Sequence, residues 1–258
     1  MTTRMIAVAN QKGGVGKTTT SVNLAASLAL MKKRVLLLDM DPQGNTTSGI
    51  GINKADISYC MYDVLVNDVN AKEAVLSTAI EELFVLPASI QLAGAEIELV
   101  SVSSRELRLK RTIGFISDEY DFVIIDCPPS LGILTINALT AANSVLIPIQ
   151  CEYYALEGLS QLLNTIRLVQ KHLNKRLAIE GVLLTMFDAR TNLSLQVVEE
   201  VKKYFQEKVY QTIIPRNVRL GEAPSHGQSI VTYDPRSKGA EVYQELAKEV
   251  IGVAQELR

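Results

Sequence analysis

Three aspartates that close apolar runs, together with one glycine- and lysine-rich loop, are the residues of this 258-residue chain whose types and spacing can do chemistry. Asp39 and Asp41 end the run in "VLLLDMDPQGN" and, two residues apart, fall on the same side of an extended segment. Asp126 ends another in "FVIIDCPPS", where Pro128 and Pro129 stop the strand and stiffen the loop behind it. The loop is "ANQKGGVGKTTT", Ala9 to Thr20. Glycines whose backbone N–H groups converge on phosphate oxygens, beside acids that hold a hard cation, are the parts of a metal-assisted phosphate site.

The loop departs from the usual GxxxxGK[ST] pattern. Gly16-Lys17-Thr18 supplies its second half, but Gln11 stands where the leading glycine belongs, and Lys12 follows it. Gly13, Gly14 and Gly16 still form a cradle, with Val15 among the backbone donors. Lys17 is expected to reach the β- and γ-phosphates, Thr18 to place a hydroxyl on Mg²⁺, and Thr19 to donate to the α-phosphate. Asp126 is the expected acid for a metal-bound water. No [NT]KxD guanine-reading sequence occurs, and "TMFDAR" closes the corresponding strand without one, which points to ATP.

Positioning such groups takes strands alternating with helices. "MIAVAN", "RVLLLD", "LFVL", "FVIID", "SVLIPI" and "IEGVLLTMF" read as strands, and "KVYQTIIP" as a weaker seventh. Their apolar residues run consecutively, as in a parallel sheet covered on both faces. Helical periodicity fills the gaps, in a helix over Thr18–Met31, in "LEGLSQLLNTIRLVQKHL" and in "NLSLQVVEEVKKYFQEK". The expected fold is α/β, a doubly wound, mainly parallel sheet flanked by helices, in a single domain over residues 1–258. Ile52–Val102, the least regular stretch, reads as an insertion over the sheet.

Composition narrows the class. Hydrophobic residues make up 47% and charged residues 21%, ordinary for a soluble globular protein, and the net charge of −2 excludes a uniformly basic coat. Cys60, Cys127 and Cys151 show no metal-ligand spacing and read as reduced, buried thiols. His172 and His226 have no acid or nucleophile nearby in sequence. No targeting segment or apolar run of spanning length is evident, so a cytoplasmic location is expected.

"KGGVGKTTT", "VLLLDMDPQGN", "VIIDCPPS", "VLIPIQCEYYALEGL", "EGVLLTMFDART", "IPRNVRLGEAPSHG" and "YDPRSKGAEVY" together resemble the ParA/Soj chromosome-partitioning ATPases. These are deviant Walker-A P-loop NTPases, a group that also holds MinD and the nitrogenase iron protein, and the similarity runs from the first strand to about Arg236. The resemblance implies that Lys12 reaches across an ATP-dependent homodimer to the partner's phosphates. It also implies that Asp41 orients the attacking water, that Asp39 and Asp126 support Mg²⁺ through waters, and that Pro215 and Asn217 lie against the adenine. Lys12, Lys17 and Asp41 are then the catalytic set.

A partitioning ATPase of this kind binds double-stranded DNA without sequence preference and works with a ParB/Spo0J-like centromere-binding protein, giving a nucleoid-associated location. Arg190, in "DART", matches a DNA-contacting arginine of the family. Arg219 is a second candidate, with Arg216, Arg236 and Lys238 nearby and Arg105, Arg108, Lys110 and Arg111 in "RELRLKR". No aromatic-interleaved basic run suggests base stacking, so contacts to the DNA backbone are expected. The alternative is a MinD-like ATPase on a membrane. The segment "GAEVYQELAKEVIGVAQELR" is amphipathic, with Val242, Leu246, Val250, Val253 and Leu257 on one face. Its other face carries Glu241, Glu245, Glu249 and Glu256 against Lys248 and Arg258, so anionic lipid repels it and core packing is expected.

Overall fold

A computed structural model describes residues 3–152 and 158–256. Seven strands form one sheet: β1 (Arg4–Val8), β2 (Val35–Asp39), β3 (Leu76–Ser77), β4 (Leu83–Leu86), β5 (Phe122–Asp126), β6 (Ser144–Gln150) and β7 (Ala178–Thr185). Their order is β3-β4-β2-β5-β1-β6-β7, and every pairing is parallel except β3 against β4. The doubly wound sheet expected from the sequence is therefore present.

Consecutive apolar residues divide between the two faces. Ile6, Val8, Leu37 and Ile124 join one core with Leu24 and Leu28 of the helix Lys17–Leu30 and with Tyr243, Leu246 and Val250 of the helix Lys238–Glu256. Ala7, Leu38, Val123 and Ile147 face the other, under Met61, Leu92, Leu134, Leu162 and Val197. Burying each such Leu or Ile contributes about 1.5–3 kcal/mol. Every residue of β2 and β5 is buried, so neither strand needs a polar alternation. The three cysteines are buried and free.

Two expectations need correction. "KVYQTIIP" is not a strand: residues 209–215 touch β7 and its extension only at two bridges, Val182–Val209 and Phe187–Pro215. The N–H of Tyr210 donates to Val182 O and that of Ile214 to Leu184 O, but between them Gln211 and Thr212 turn away and donate to the Glu249 carboxylate. Within Ile52–Val102 the expected strand "LFVL" is β4, beside β2, and what the reading as an insertion over the sheet left out is β3, which pairs antiparallel with it at the edge. The remaining short helices of this stretch cover one face.

The helix Lys238–Glu256 packs as expected, with Val242, Leu246 and Val250 buried. Glu249 is the exception on its polar face, being half-buried and hydrogen-bonded. The part of "CEYYALEGL" at 153–157 and the side chains at 253–258 lie outside what is described.

Candidate nucleotide site

All the expected groups collect at the carboxyl ends of β1, β2, β5 and β7. The parallel registers place Val8 beside Asp126 and Asp126 beside Asp39. Beyond β1, Asn10 ties the chain down, its side-chain amide donating to Pro148 O at 2.7 Å while its Oδ1 accepts from Lys12 N at 3.0 Å. That clamp fixes the chain where it enters the loop. Gly14 and Gly16 take φ 74° and 89°, open to glycine at little cost. Thr185, at the end of β7, pins the loop from behind by donating to Val15 O at 2.8 Å. No side chain caps the helix that begins at Lys17, so its first-turn N–H groups and partial positive charge face the loop.

Lys17 is 7% exposed, and its ammonium donates to Lys12 O at 2.9 Å. Burial pushes it below the usual lysine range, opposed by the nearby Asp126 and Asp41 carboxylates. A buried cation held by a neutral carbonyl is one that an anion stabilises strongly. The Lys12 ammonium makes no ion pair among the described residues.

Asp126 is fully buried and accepts from three hydroxyls: Thr18 at 2.8 Å, Thr46 at 2.7 Å and Ser21 at 3.0 Å. Burial still pushes its carboxyl up to about 6. Asp39, equally buried, accepts from the Thr47 N–H and hydroxyl and from the Asp41 N–H. Burial first, and then the neighbouring Asp126 charge, push Asp39 up to about 7. Desolvation disfavours both ionised acids, and Asp126 further disfavours that of Asp39, so the pair forms a site that a cation relieves. Asp41 lies nearer the surface. Its Oδ1 accepts from Gln43 N at 2.9 Å, and its Oδ2 takes no hydrogen bond from the described residues.

Beside the loop is a cavity of about 230 Å³, walled by Gly16 and Thr19, by Thr185 and Met186, by Ile214, Pro215 and Asn217, and by Tyr243. Pro215 and Asn217 thus share a cavity wall with Gly16 and Thr19 of the phosphate loop and the helix behind it. Met186 holds φ 52°, a left-handed conformation that costs a non-glycine residue of order 1 kcal/mol.

Thr46, Thr47, Ser21, Thr185 and Tyr243 went unread in the sequence. Of these, only Thr46 and Thr47, directly behind the acids in "DMDPQGNTT", carried a sequence signal.

Both DNA candidates are exposed and paired. Arg190 grips Asp188 through two bonds, at 2.9 and 2.7 Å, and holds that carboxyl down to about 2. Arg219 pairs with Glu222 at 2.9 Å. Exposed pairs of this kind are worth little, so either arginine can exchange its carboxylate for a phosphate.

A doubly wound sheet with a glycine loop after β1 and buried acids at the ends of β2 and β5 defines a P-loop NTPase. The AAA_31 family model, an AAA domain, matches residues 3–179. The chain is 70% identical over 247 residues to the sporulation initiation inhibitor protein Soj of Bacillus subtilis (strain 168), covering 96% of this chain and 98% of that one. It is 56% identical over 248 residues to the chromosome partitioning protein ParA of Myxococcus xanthus (strain DK1622), covering 96% and 88%. Its structure matches cobyrinic acid a,c-diamide synthase from Mycobacterium smegmatis with bound ATP analog and magnesium at TM-score 0.88 and 40% identity, over 100% of this chain and 98% of that one. The chain belongs to the ParA/Soj family of chromosome-partitioning ATPases.

Proposed function

We propose that residues 1–258 form one ATPase domain that dimerises on binding ATP, binds double-stranded DNA without sequence preference, and is released by hydrolysis stimulated by a ParB/Spo0J-like partner. The observation that carries this reading is the buried Lys17 ammonium beside two buried acids, a charge arrangement that fits a nucleotide triphosphate with Mg²⁺. Among the described residues no group of three His, Cys, Asp or Glu side chains could hold a metal ion. Mg²⁺ would instead be held through the Thr18 hydroxyl, with Asp39 and Asp126 acting on its bound waters. When bound, Mg²⁺ neutralises charge on the phosphates.

The chain's own residues supply the rest. The backbone of Gly13, Gly14, Val15 and Gly16 donates to phosphate oxygens, with Thr19 at the α-phosphate, and Lys17 meets the β- and γ-phosphates. Pro215 and Asn217 wall the base. Asp41 orients water through its uncommitted Oδ2. Lys12, its backbone anchored to Asn10 and Lys17 and its ammonium in no ion pair among the described residues, reaches the partner's phosphates and so makes hydrolysis depend on the dimer. Arg190 and Arg219 contact DNA phosphates, which places the protein on the nucleoid in the cytoplasm. A MinD-like membrane role gains no support, because Val242, Leu246 and Val250 are buried in the core.

The test is ATP turnover with and without duplex DNA and an amino-terminal peptide of a ParB protein, in wild type and Asp41→Ala. Wild type should be stimulated by the two together. D41A should stop turnover and accumulate as a DNA-bound dimer in sedimentation. Normal hydrolysis by D41A refutes its role at the water.

A further inference from the structure

We propose that Glu249 is a positioning residue for the base-binding wall, coupling the helix Lys238–Glu256 to nucleotide affinity. This rests on the assignment of the 230 Å³ cavity to the base of the nucleotide. The wall residues Ile214, Pro215 and Asn217 follow an arch in the chain. Tyr210 N–H to Val182 O at 3.0 Å anchors one foot of the arch, and Ile214 N–H to Leu184 O at 2.9 Å anchors the other. Between the feet no strand partner takes the backbone donors. The Glu249 carboxylate takes them instead: Gln211 N–H at 2.7 Å on Oε1, and Thr212 N–H at 3.1 Å and hydroxyl at 2.8 Å on Oε2. Three donors meet one ionised acceptor, the stronger sort of hydrogen bond.

The helix bearing Glu249 is itself fixed. Arg4, at the start of β1, donates to Val250 O at 2.7 Å. Six residues before Glu249, Tyr243 lines the same cavity and lies 3.3 Å from the Thr20 hydroxyl. The helix therefore touches the nucleotide site directly through Tyr243 and braces its far wall through Glu249. Residues 211–213 without the carboxylate are half-exposed or exposed backbone with no sheet partner. Fixing such residues in one conformation costs backbone entropy, which the carboxylate offsets. If without it the wall is ordered in only about a tenth of molecules, apparent affinity falls about tenfold.

The experiment is calorimetric binding of ATP and of inorganic tripolyphosphate, each with Mg²⁺, to wild type, Glu249→Ala, Glu249→Gln and Glu245→Ala. The two ligands share the phosphate loop, and only ATP uses the wall. E249A is expected to weaken ATP about tenfold while tripolyphosphate stays within about twofold. E249Q keeps the side-chain volume and one carbonyl acceptor, so it is expected to fold as wild type does and to lose about threefold, which carries the test should E249A not fold. E245A, exposed on the same helix, should bind both as wild type does. An unchanged ATP affinity in both Glu249 variants overturns the inference, and so does an equal loss for both ligands. Failure of wild type to bind ATP overturns the cavity assignment itself and this inference with it.

Discussion

Replacing Asp39 with Asn should stabilise the nucleotide-free, metal-free protein at alkaline pH and do little at acid pH. The folded carboxyl is raised from 3.8 to about 7, first by burial and then by Asp126. The folded state therefore keeps a proton that the unfolded state has released. Stability from the protonated form is complete below the unfolded value and is lost as pH climbs through about 7. At 1.36 kcal/mol per pH unit the loss is on the order of 4 kcal/mol. Asn is neutral throughout and avoids it.

The Asn oxygen can keep the Thr47 N–H and hydroxyl, but its NH₂ then faces the Asp41 N–H, a conflict costing about 1–3 kcal/mol. The protonated Asp39 carries the same conflict, so wild type and D39N should match near pH 3.5, whereas near pH 8.5 D39N should lead by about 4 kcal/mol. Urea unfolding with EDTA at the two pH values measures both differences. Equal stabilities at pH 8.5, or a difference that does not change with pH, refute the claim that Asp39 is a strained buried carboxylate. Adding Mg²⁺ and ATP should narrow the gap at pH 8.5 by favouring the wild-type charge.

Lys12→Ala should cut turnover by about 100-fold or more, as expected for a charge aimed at the transferring phosphoryl, while leaving the unfolding curve of the nucleotide-free protein unchanged. Wild-type turnover in K12A removes the trans-acting lysine. Arg190→Glu should abolish DNA binding at moderate salt while sparing ATP affinity, and DNA affinity that survives in a filter assay dismisses Arg190. Gly181→Ala places a Cβ 2.5 Å from Cε2 of the buried Tyr210 ring, at one foot of the arch. Overpacking of this kind costs about 1–3 kcal/mol, or roughly 2–4 °C of melting temperature per kcal/mol for a chain of this size. Adding Tyr210→Leu should restore part of the loss, and a G181A melt equal to wild type shows the ring is free to move.

The strands and the phosphate loop were legible because both rest on local pattern. Strands buried on both faces leave unbroken apolar runs, and acids at their ends leave a charge at a fixed place. Leu76–Ser77 was not legible, since two residues carry no period. "KVYQTIIP" misled because its β-branched residues suit a strand, whereas the fate of its N–H groups depends on Glu249, 37 residues beyond Thr212. Thr185 and Tyr243 could not be read for the same reason: strand-end packing and a distant helix bring them to the loop. The clamp on Asn10 was hidden because its partner, Pro148, lies on β6.

The arch at 209–215 also decides how copies of this chain can meet. It runs along the outer margin of β7, while the opposite margin ends in the two residues of β3. Neither margin offers a long row of unpaired N–H and C=O groups, so strand addition, the usual route to open-ended fibres, is blunted on both sides. Self-association is left to the face that carries the loop and the acids, or to the helical flanks. Contacts at the loop-bearing face can answer to what is bound there, whereas a sheet joined at its margins would not come apart when the ligand changed.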